Sequence, residues 1–166
     1  MSMNFFTISE LKAPEIITPD AIKFQKHLHG FLSNFHTLES PIVDEFGFGY
    51  ATSEHYYQSR KSDNPLEWHN FSTQKGHTEP GKAKKDGKLL EKRLNWDEFY
   101  KYGVMRNALF LKFHYNPQLK AQLSQLNAQL IEWCTWDDQC WGMYSRTKTG
   151  ANALGKLLME YKKNHL

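Results

Sequence analysis

Hydrophobic residues recur at three- and four-residue steps near the middle of the chain, which predicts an amphipathic helix ending at about residue 115. The stripe consists of Phe99, Tyr102, Met105, Leu109 and Phe113. Asn95 precedes this stripe and Glu98 follows three residues later, a spacing typical of a capping box. The pattern therefore predicts that the helix begins at Asn95.

Further helices are predicted by caps and prolines. Thr52 and Ser53 open a short helix, and Asn116-Pro117 opens another because proline suits the first helical position. The stretch 81–93 is predicted to form one or two short basic helices interrupted near Gly87. A final helix over about 151–163 carries an apolar stripe of Leu154, Leu157, Leu158 and Tyr161.

Strands are predicted where apolar and polar residues alternate, at 21–26 and 130–135, with a hairpin over 40–52. Residues 65–80 show no sustained period and are predicted to be irregular. Residues 1–20 are predicted to be an N-terminal arm with a short helical turn at 8–12. The sequence therefore predicts an α+β fold, a mostly helical single domain over 21–166 around a small β-sheet.

Composition and charge narrow the class of protein. The chain has 166 residues, of which 40% are hydrophobic and 23% charged, values typical of a globular domain rather than a disordered chain. The net charge of +3 is compatible with a phosphate-bearing ligand but does not require nucleic acid. Neither a signal peptide nor an apolar run of ~18 residues is present, so a cytoplasmic protein without a membrane partner is expected.

The two cysteines, Cys134 and Cys140, do not form a CxxC pair, and no HExxH helix is present. They are predicted to be reduced thiols. The sequence therefore predicts a site that needs neither a metal nor a cofactor.

The segment TSEHYYQ, residues 52–58, combines a helix start with a concentration of functional groups. Glu54, Gln58 and Lys61 fall one turn apart, which places an acid, an amide and a cation on one helical face. Glu54 is interpreted either as a first-turn acid favoured by the helix dipole or as part of a polar ligand wall. His55 is offset from this face and is interpreted as structural.

The loop from Trp136 to Gly150 is the second unusual segment, because it places two acids, Asp137 and Asp138, between two tryptophans. Exposed tryptophan surface is unfavourable unless something covers it. One interpretation folds Trp136 and Trp141 back as lids on the core, with both acids in water. The other interpretation makes the loop part of a site.

Two features suggest anion binding. The basic run consists of Lys82, Lys84, Lys85, Lys88, Lys92 and Arg93. It is either a solvated face or a surface that attracts phosphate groups. The start of the final helix, residues 149–152, is a second candidate because free backbone N–H groups can point outward there. Gly155 in the same helix is predicted to allow close packing against its neighbour.

Seven motifs in order resemble the NADAR (YbiA-like) family across roughly residues 21–163. They are FLSNF at 31–35, TSEHYYQ at 52–58, NWD at 95–97, MRNALFLKF at 105–113, LIEW at 130–133, DDQCWG at 137–142 and GANALGKLLM at 150–159. The resemblance implies an N-glycosidase that hydrolyses a bond between ribose C1′ and a base nitrogen. It also implies functional roles for Glu54, Trp96, Asp138 and Trp141.

The resemblance leaves two substrate classes open, a ribosylamino-pyrimidine phosphate of the riboflavin pathway or ADP-ribosylated guanine in nucleic acid. We hypothesise that Asp138 stabilises the developing cation or activates water, and that Glu54 protonates the base or holds ribose hydroxyls. Trp96 and Trp141 would stack on the base. Further polar substrate contacts are predicted for Ser33, Asn34, Gln58 and Asn152. The alternative is a module that binds NAD-derived or ADP-ribosyl ligands without cleaving them.

Overall fold

The computed structural model describes residues 3–166 and confirms the α+β class. In chain order the elements are α1 (Ile8–Lys12), β1 (Ile22–Phe24), β2 (Ile42–Val43), β3 (Gly49–Tyr50), α2 (Ser53–Ser59), α3 (Pro65–Asn70), α4 (Pro80–Asp86), α5 (Lys101–Tyr115), α6 (Pro117–Ser124), β4 (Leu130–Cys134), β5 (Met143–Tyr144) and α7 (Ala153–His165). They group into two compact units, one of residues up to 33 with 121–166 and one of residues 34–120. No helix within residues 3–166 is long and apolar enough to cross a membrane.

The first unit is built on a parallel three-stranded sheet in the order β1-β4-β5. Helix α7 packs against β4, and its Gly155 lies so close that an added β-carbon would be 2.1 Å from the carbonyl oxygen of Leu130. A side chain at this position would push the helix off the strand, so the predicted close packing at Gly155 is confirmed.

The N-terminal arm is part of this unit. The predicted helical turn at 8–12 is confirmed as α1, whose Leu11 is fully buried. Lys156 of α7 donates from Nζ to the carbonyl oxygens of Glu10, at 2.9 Å, and Ala13, at 2.7 Å. These bonds satisfy carbonyls at the end of α1, so the arm is held against α7.

The second unit contains the β2–β3 hairpin and helices α2 to α5. The predicted hairpin is confirmed, with Ile42 opposite Tyr50 in an antiparallel pair. Helix α2 packs against both α4 and α5. Four of the five residues in the predicted α5 stripe are buried, while Phe99 is 42% exposed. The helical period therefore identified the inward face of α5 correctly.

The predicted capping box at Asn95 is wrong. Asn95 has a left-handed backbone with φ of 59°, and its side chain makes no capping hydrogen bond. Residues Trp96–Tyr100 instead form a π-helical turn, and α5 begins only at Lys101. The wider π turn carries Trp96 inward to 2% exposure, and such turns are frequent at functional sites.

The prediction of irregular structure over 65–80 is also wrong in part, because it contains α3. Asn64 caps this helix by accepting a hydrogen bond from the Leu66 amide at 3.0 Å, and Pro65 occupies the first turn. This is the same signal that predicted α6 at Asn116-Pro117. The basic run forms only one helix, α4, which ends before Gly87.

Candidate functional site

Helix α2 brings two of the sequence motifs together. Thr52 caps the helix, with its Oγ1 accepting from the His55 amide at 3.3 Å, and the Glu54 amide donates to the carbonyl oxygen of Asn34 at 3.0 Å. The Glu54 residue is only 6% exposed. A carboxylate whose only role is to interact with the helix dipole is expected to be exposed to solvent. The burial of Glu54 therefore favours the interpretation that it belongs to a ligand site.

The predicted alignment of acid and amide on one face of α2 is confirmed for Glu54 and Gln58, while the predicted cation, Lys61, lies just beyond the end of the helix. Gln58 Nε2 donates to Glu54 Oε1 at 2.7 Å, and Lys61 Nζ donates to the carbonyl oxygen of Gly87 at 3.2 Å. Burial lowers the pKa of Lys61, while the nearby charge of Glu54 opposes that shift. The result is a buried polar wall with a fixed carboxylate, which we call the α2 wall (Glu54, Gln58 and Lys61).

Three buried polar atoms of Asn34 and of helix α2 have no hydrogen-bond partner among the described residues. They are Asn34 Oδ1, Ser53 Oγ and Gln58 Oε1. Buried polar atoms are nearly always paired in native proteins, so these three atoms require an explanation. Acceptors and a hydroxyl in this arrangement suit a ligand that carries several hydroxyl or amino groups.

Trp96 packs against the same helix. Its ring lies 5.2 Å from the ring of Tyr57, at an interplanar angle of 49°. The π turn thus places an indole beside the helix that carries Glu54.

The same unit holds a buried lysine that sequence reasoning missed. Lys112 is fully buried, and this burial lowers its pKa to about 7. An amine with such a pKa can exchange a proton near neutral pH. The signal was present in the sequence, because Lys112 lies three residues after Leu109 and beside Phe113, on the buried face of α5.

A second buried cation in this unit has a structural role. Arg60 forms an ion pair with Asp44 at 2.9 Å and stacks on Trp68, with 3.8 Å from its guanidinium carbon to the ring centroid. Burial by itself raises the pKa of Asp44, but the hydrogen bonds from Arg60, Tyr50 and the amides of Phe46 and Phe48 together outweigh burial and lower that pKa. The ion pair and the cation–π contact therefore join Arg60, at the end of α2, to Asp44 of the hairpin and to Trp68 of α3. These contacts stabilise the end of α2.

In the other unit, Asp138 organises the acid–tryptophan loop. Its Oδ1 accepts from the amides of Cys140, at 2.9 Å, and Trp141, at 2.8 Å. Trp136 is 52% exposed and Trp141 is half-buried, so neither ring is a fully buried core lid. Asp138 therefore fixes the backbone of the loop at Trp141, whose side chain stays partly exposed. The interpretation of this loop as part of a site stays a prediction.

Glycine is required directly after Trp141. A β-carbon on Gly142 would lie 2.5 Å from Cys134 Sγ and 2.8 Å from the carbonyl oxygen of Glu132. The close approach lets β5 pair with β4 immediately beyond the tryptophan. Neither Cys134 nor Cys140 forms a disulfide among the described residues, as predicted.

The predicted anion site at 149–152 is wrong, because the loop folds back onto the start of α7. The amides of Asn152, Ala153 and Leu154 donate to loop carbonyl oxygens at 3.2, 3.0 and 3.0 Å. The acceptors are Gly142, Cys140 and Trp141. The N–H groups that would hold an anion are thus used to hold the loop.

Asn152 and Ser33 take structural positions in this unit. Asn152 is fully buried, donates from Nδ2 to Leu130 O at 2.9 Å and accepts at Oδ1 from the Glu132 amide at 3.0 Å. Ser33 is 8% exposed, and its amide donates to Gly30 O at 3.0 Å. Substrate contacts by these two residues stay predictions.

The structure thus divides the predicted site residues into two sets. The unit of residues 34–120 holds Asn34, Glu54, Gln58 and Trp96, while the other unit holds Ser33, Asp138, Trp141 and Asn152. In the first set, hydrogen bonds connect Asn34, Glu54 and Gln58 directly. In the second set, hydrogen bonds join Asp138 to Trp141. The joint action of both sets on one substrate stays a prediction.

Comparison with known proteins identifies the family. The model of the NADAR domain matches residues 23–164. The N-glycosidase YbiA of Escherichia coli is 37% identical over 141 residues, covering 80% of this chain and 79% of that protein. The chloroplastic riboflavin biosynthesis protein PYRR of Zea mays is 32% identical over 144 residues, and the match spans 80% of this chain but 23% of that protein.

A solved structure supports the fold. The NMR structure of Escherichia coli YbiA superposes with a TM-score of 0.72 at 32% sequence identity. The superposition covers 89% of this chain and 86% of that one.

Proposed function

The chain belongs to the NADAR domain family and is an N-glycosidase like YbiA, and from that premise we propose that it hydrolyses the bond between ribose C1′ and a base nitrogen. Its substrate in this proposal is a ribosylamino-pyrimidine phosphate, an intermediate of the riboflavin pathway. The observation that carries the proposal is the buried Glu54 carboxyl, which accepts a hydrogen bond from Gln58 Nε2. Asn34, whose carbonyl oxygen accepts from the Glu54 amide, and Ser53, the preceding residue, each have a buried polar atom with no partner among the described residues.

The chemistry of ribosyl transfer suits these groups. As the C1′–N bond breaks, positive charge develops on the sugar ring, and a carboxylate in a site of low dielectric constant stabilises that charge. Water supplies the oxygen that bonds to C1′, and the departing base nitrogen takes up a proton. In the proposal Asp138 stabilises the cation or activates the water, and Glu54 protonates the base or holds the ribose hydroxyls.

The departing base needs a flat apolar surface, which the proposal assigns to Trp96 and Trp141. Stacking of a base on an aromatic ring contributes ~1–3 kcal/mol. The Asp138 turn supports this assignment for Trp141, because it fixes the backbone of that residue.

The charges of the basic run favour a small-molecule substrate over nucleic acid. Lys82 pairs with Asp86, Lys92 pairs with Asp97 at 2.6 Å, and Arg93 pairs with Asp63 at 2.8 Å. Half of the six cations therefore have a carboxylate beside them. An acid next to a cation weakens its attraction for the phosphate backbone, on which the affinity for nucleic acid depends.

Product analysis tests the proposal. The intact protein is incubated with a ribosylamino-pyrimidine phosphate and, separately, with an oligonucleotide carrying ADP-ribosylated guanine. We expect chromatography to show ribose 5-phosphate and free pyrimidine from the first substrate and no ADP-ribose from the second.

Other outcomes separate the alternatives. If ADP-ribose were released from the oligonucleotide and the pyrimidine compound were not cleaved, the proposed substrate would be wrong. The proposed N-glycosidase activity would still hold. Stoichiometric binding without product from either compound would indicate the binding module instead.

A further inference from the structure

A cavity of about 610 Å³ lies in the unit that contains the parallel sheet. It is separate from the α2 wall, and the loop from Trp136 to Gly150 contributes only Lys148 to its lining. Its lining residues are Ile17, Thr18, Pro19, Ala21, Ile22, Lys23, Leu28, His29 and Lys148. Cavities of this size accommodate nucleotide-sized ligands. We call it the β1 cavity, after the strand that supplies Ile22 and Lys23.

The polar lining of the β1 cavity is basic. Three basic residues, Lys23, His29 and Lys148, are among the residues that line the cavity, and these residues include no aspartate or glutamate. Ile17, Ile22 and Leu28 supply an apolar part of the wall. An anion with an attached apolar or planar group fits such a lining better than a bare ion does, because both parts find a complementary surface.

Two of the three basic residues have a backbone conformation that is disfavoured for residues with a β-carbon. His29 has φ of 49° and Lys148 has φ of 57°. Only four non-glycine residues within 3–166 have a positive φ, so two of the four line this one cavity. Left-handed residues other than glycine concentrate at functional sites, where the surrounding structure holds them in place.

Hydrogen bonds hold both strained residues. The Lys148 amide donates to the carbonyl oxygen of Tyr144 at 2.7 Å, and the Tyr144 amide donates to Thr149 O at 2.8 Å. In the turn that carries His29, the Leu32 amide donates to the carbonyl oxygen of His29 at 3.0 Å. The turns that carry the two side chains are thus fixed before any ligand arrives, which reduces the entropy lost on binding.

Lys23 is also held in position. Its Nζ lies 4.3 Å from the ring centroid of Trp133, a cation–π contact across β1 and β4. The lining segment at Thr18 is held by Gln129, whose Oε1 accepts from the Thr18 amide at 2.8 Å and whose Nε2 donates to Ile16 O at 2.9 Å.

We propose that the β1 cavity binds the phosphoryl group of a phosphorylated ribosyl compound, with Lys23, His29 and Lys148 as its ligands. The phosphoryl group is the chemistry that these donors recognise, as a monoester on a sugar or as a diphosphate. Where the compound is the glycosidase substrate, the inference rests on the proposed function. The binding step itself requires no catalysis.

Calorimetric titration tests the site with ribose 5-phosphate, pyrophosphate and unphosphorylated ribose. We expect the two phosphoryl compounds to bind with one-to-one stoichiometry and increasingly weakly as salt is added, while ribose does not bind. Tighter binding of pyrophosphate than of ribose 5-phosphate would identify a diphosphate ligand, and the reverse order a monoester.

Variants locate the binding. Lys23→Met and Lys148→Asn should each weaken binding roughly tenfold, since a charge-assisted hydrogen bond is lost. Asparagine is chosen at position 148 because it tolerates the left-handed backbone. Lys26→Met is the matched control, as Lys26 is exposed and does not line the cavity, and it should bind like the unchanged protein.

The outcomes separate this inference from the proposed function. Unchanged affinity in both cavity variants, or no heat of binding with the intact protein at millimolar phosphoryl compound, would overturn the β1 cavity as a phosphoryl site. Binding that depends on Lys23 and Lys148 would support it even if no substrate were hydrolysed. If hydrolysis is observed, Lys148→Asn should raise KM for the phosphorylated substrate and leave kcat unchanged.

Discussion

Gln58 Nε2 donates a hydrogen bond to Glu54 Oε1 over 2.7 Å, one turn along α2, and both residues are buried. A buried carboxylate whose orientation is fixed by a neighbouring amide is prepared for a defined chemical role, because it loses little freedom when substrate binds. This pair therefore distinguishes Glu54 from an ordinary helix-capping acid.

The first prediction concerns this carboxylate. Glu54→Gln keeps the size of the side chain but removes its charge, and kcat should fall by ~10²–10⁴-fold. Gln58→Met removes only the orienting amide and should lower kcat by less than Glu54→Gln does. Steady-state kinetics measures both effects, with circular dichroism to show that the fold is kept. The exposed Glu91→Gln is the control, and turnover of Glu54→Gln equal to that control would refute the role of Glu54.

The second prediction separates the two functions of Asp138. Asp138→Asn keeps an Oδ1 that can accept from the Cys140 and Trp141 amides, so the loop should keep its shape while kcat falls by ~10²-fold or more. Asp138→Ala also loses the turn and should be less stable in thermal unfolding. Asp137→Asn, a change at the exposed neighbouring acid, should leave kcat and thermal stability nearly unchanged. Equal activity of the Asn variants at 137 and 138 would contradict a catalytic role for Asp138.

The third prediction uses two glycines in helices. Gly155→Ala places a methyl group against the carbonyl oxygen of Leu130 and should lower the free energy of unfolding by ~1–3 kcal/mol or more. Gly103→Ala in α5 has no atom within 4 Å of the new β-carbon and should raise that free energy by ~0.5–1 kcal/mol. Urea denaturation measures both. No loss of stability at position 155 would disprove the packing described for α7. A loss of stability at position 103 would contradict the open space described around that residue of α5.

The fourth prediction concerns the pH dependence of stability. His55 is fully buried, and burial, aided by the charges of His77 and Lys82, lowers its pKa from 6.5 to about 4. As the pH falls from 6.5 towards 4, the unfolded chain takes up a proton that the folded protein excludes. The stability associated with neutral His55 is thus complete above pH 6.5 and is lost on acidification, by at most roughly 3 kcal/mol.

The measurement compares unfolding free energies at about pH 7.5 and about pH 4.5. His55→Gln removes this titration, so its stability should change less between the two pH values than that of the unchanged protein. His27→Gln, at an exposed position, should keep the full pH dependence. If both variants changed equally with pH, the burial of a neutral imidazole at position 55 could not be the cause.

Local signals in the sequence predicted most elements because their causes are local. The spacing of apolar residues identified the buried face of α5, and Thr52 identified the start of α2. Asn95 failed as a cap because its left-handed backbone is set by the π turn that draws Trp96 inward. Helix α3 was missed although Asn64-Pro65 carries the same signal as Asn116-Pro117, because no clear apolar stripe accompanied it.

By itself the sequence determined the α+β class, the family motifs and the polar face shared by Glu54 and Gln58, since helical spacing alone aligns these two side chains. Only the tertiary structure decided which polar groups are buried, because burial depends on elements distant in the chain. In the folded protein Lys112 is buried, and the amides at the start of α7 donate hydrogen bonds to carbonyl oxygens of the loop. The tertiary structure also brings Lys23, His29 and Lys148 to the lining of one cavity, although their spacing in the sequence does not indicate that they are neighbours.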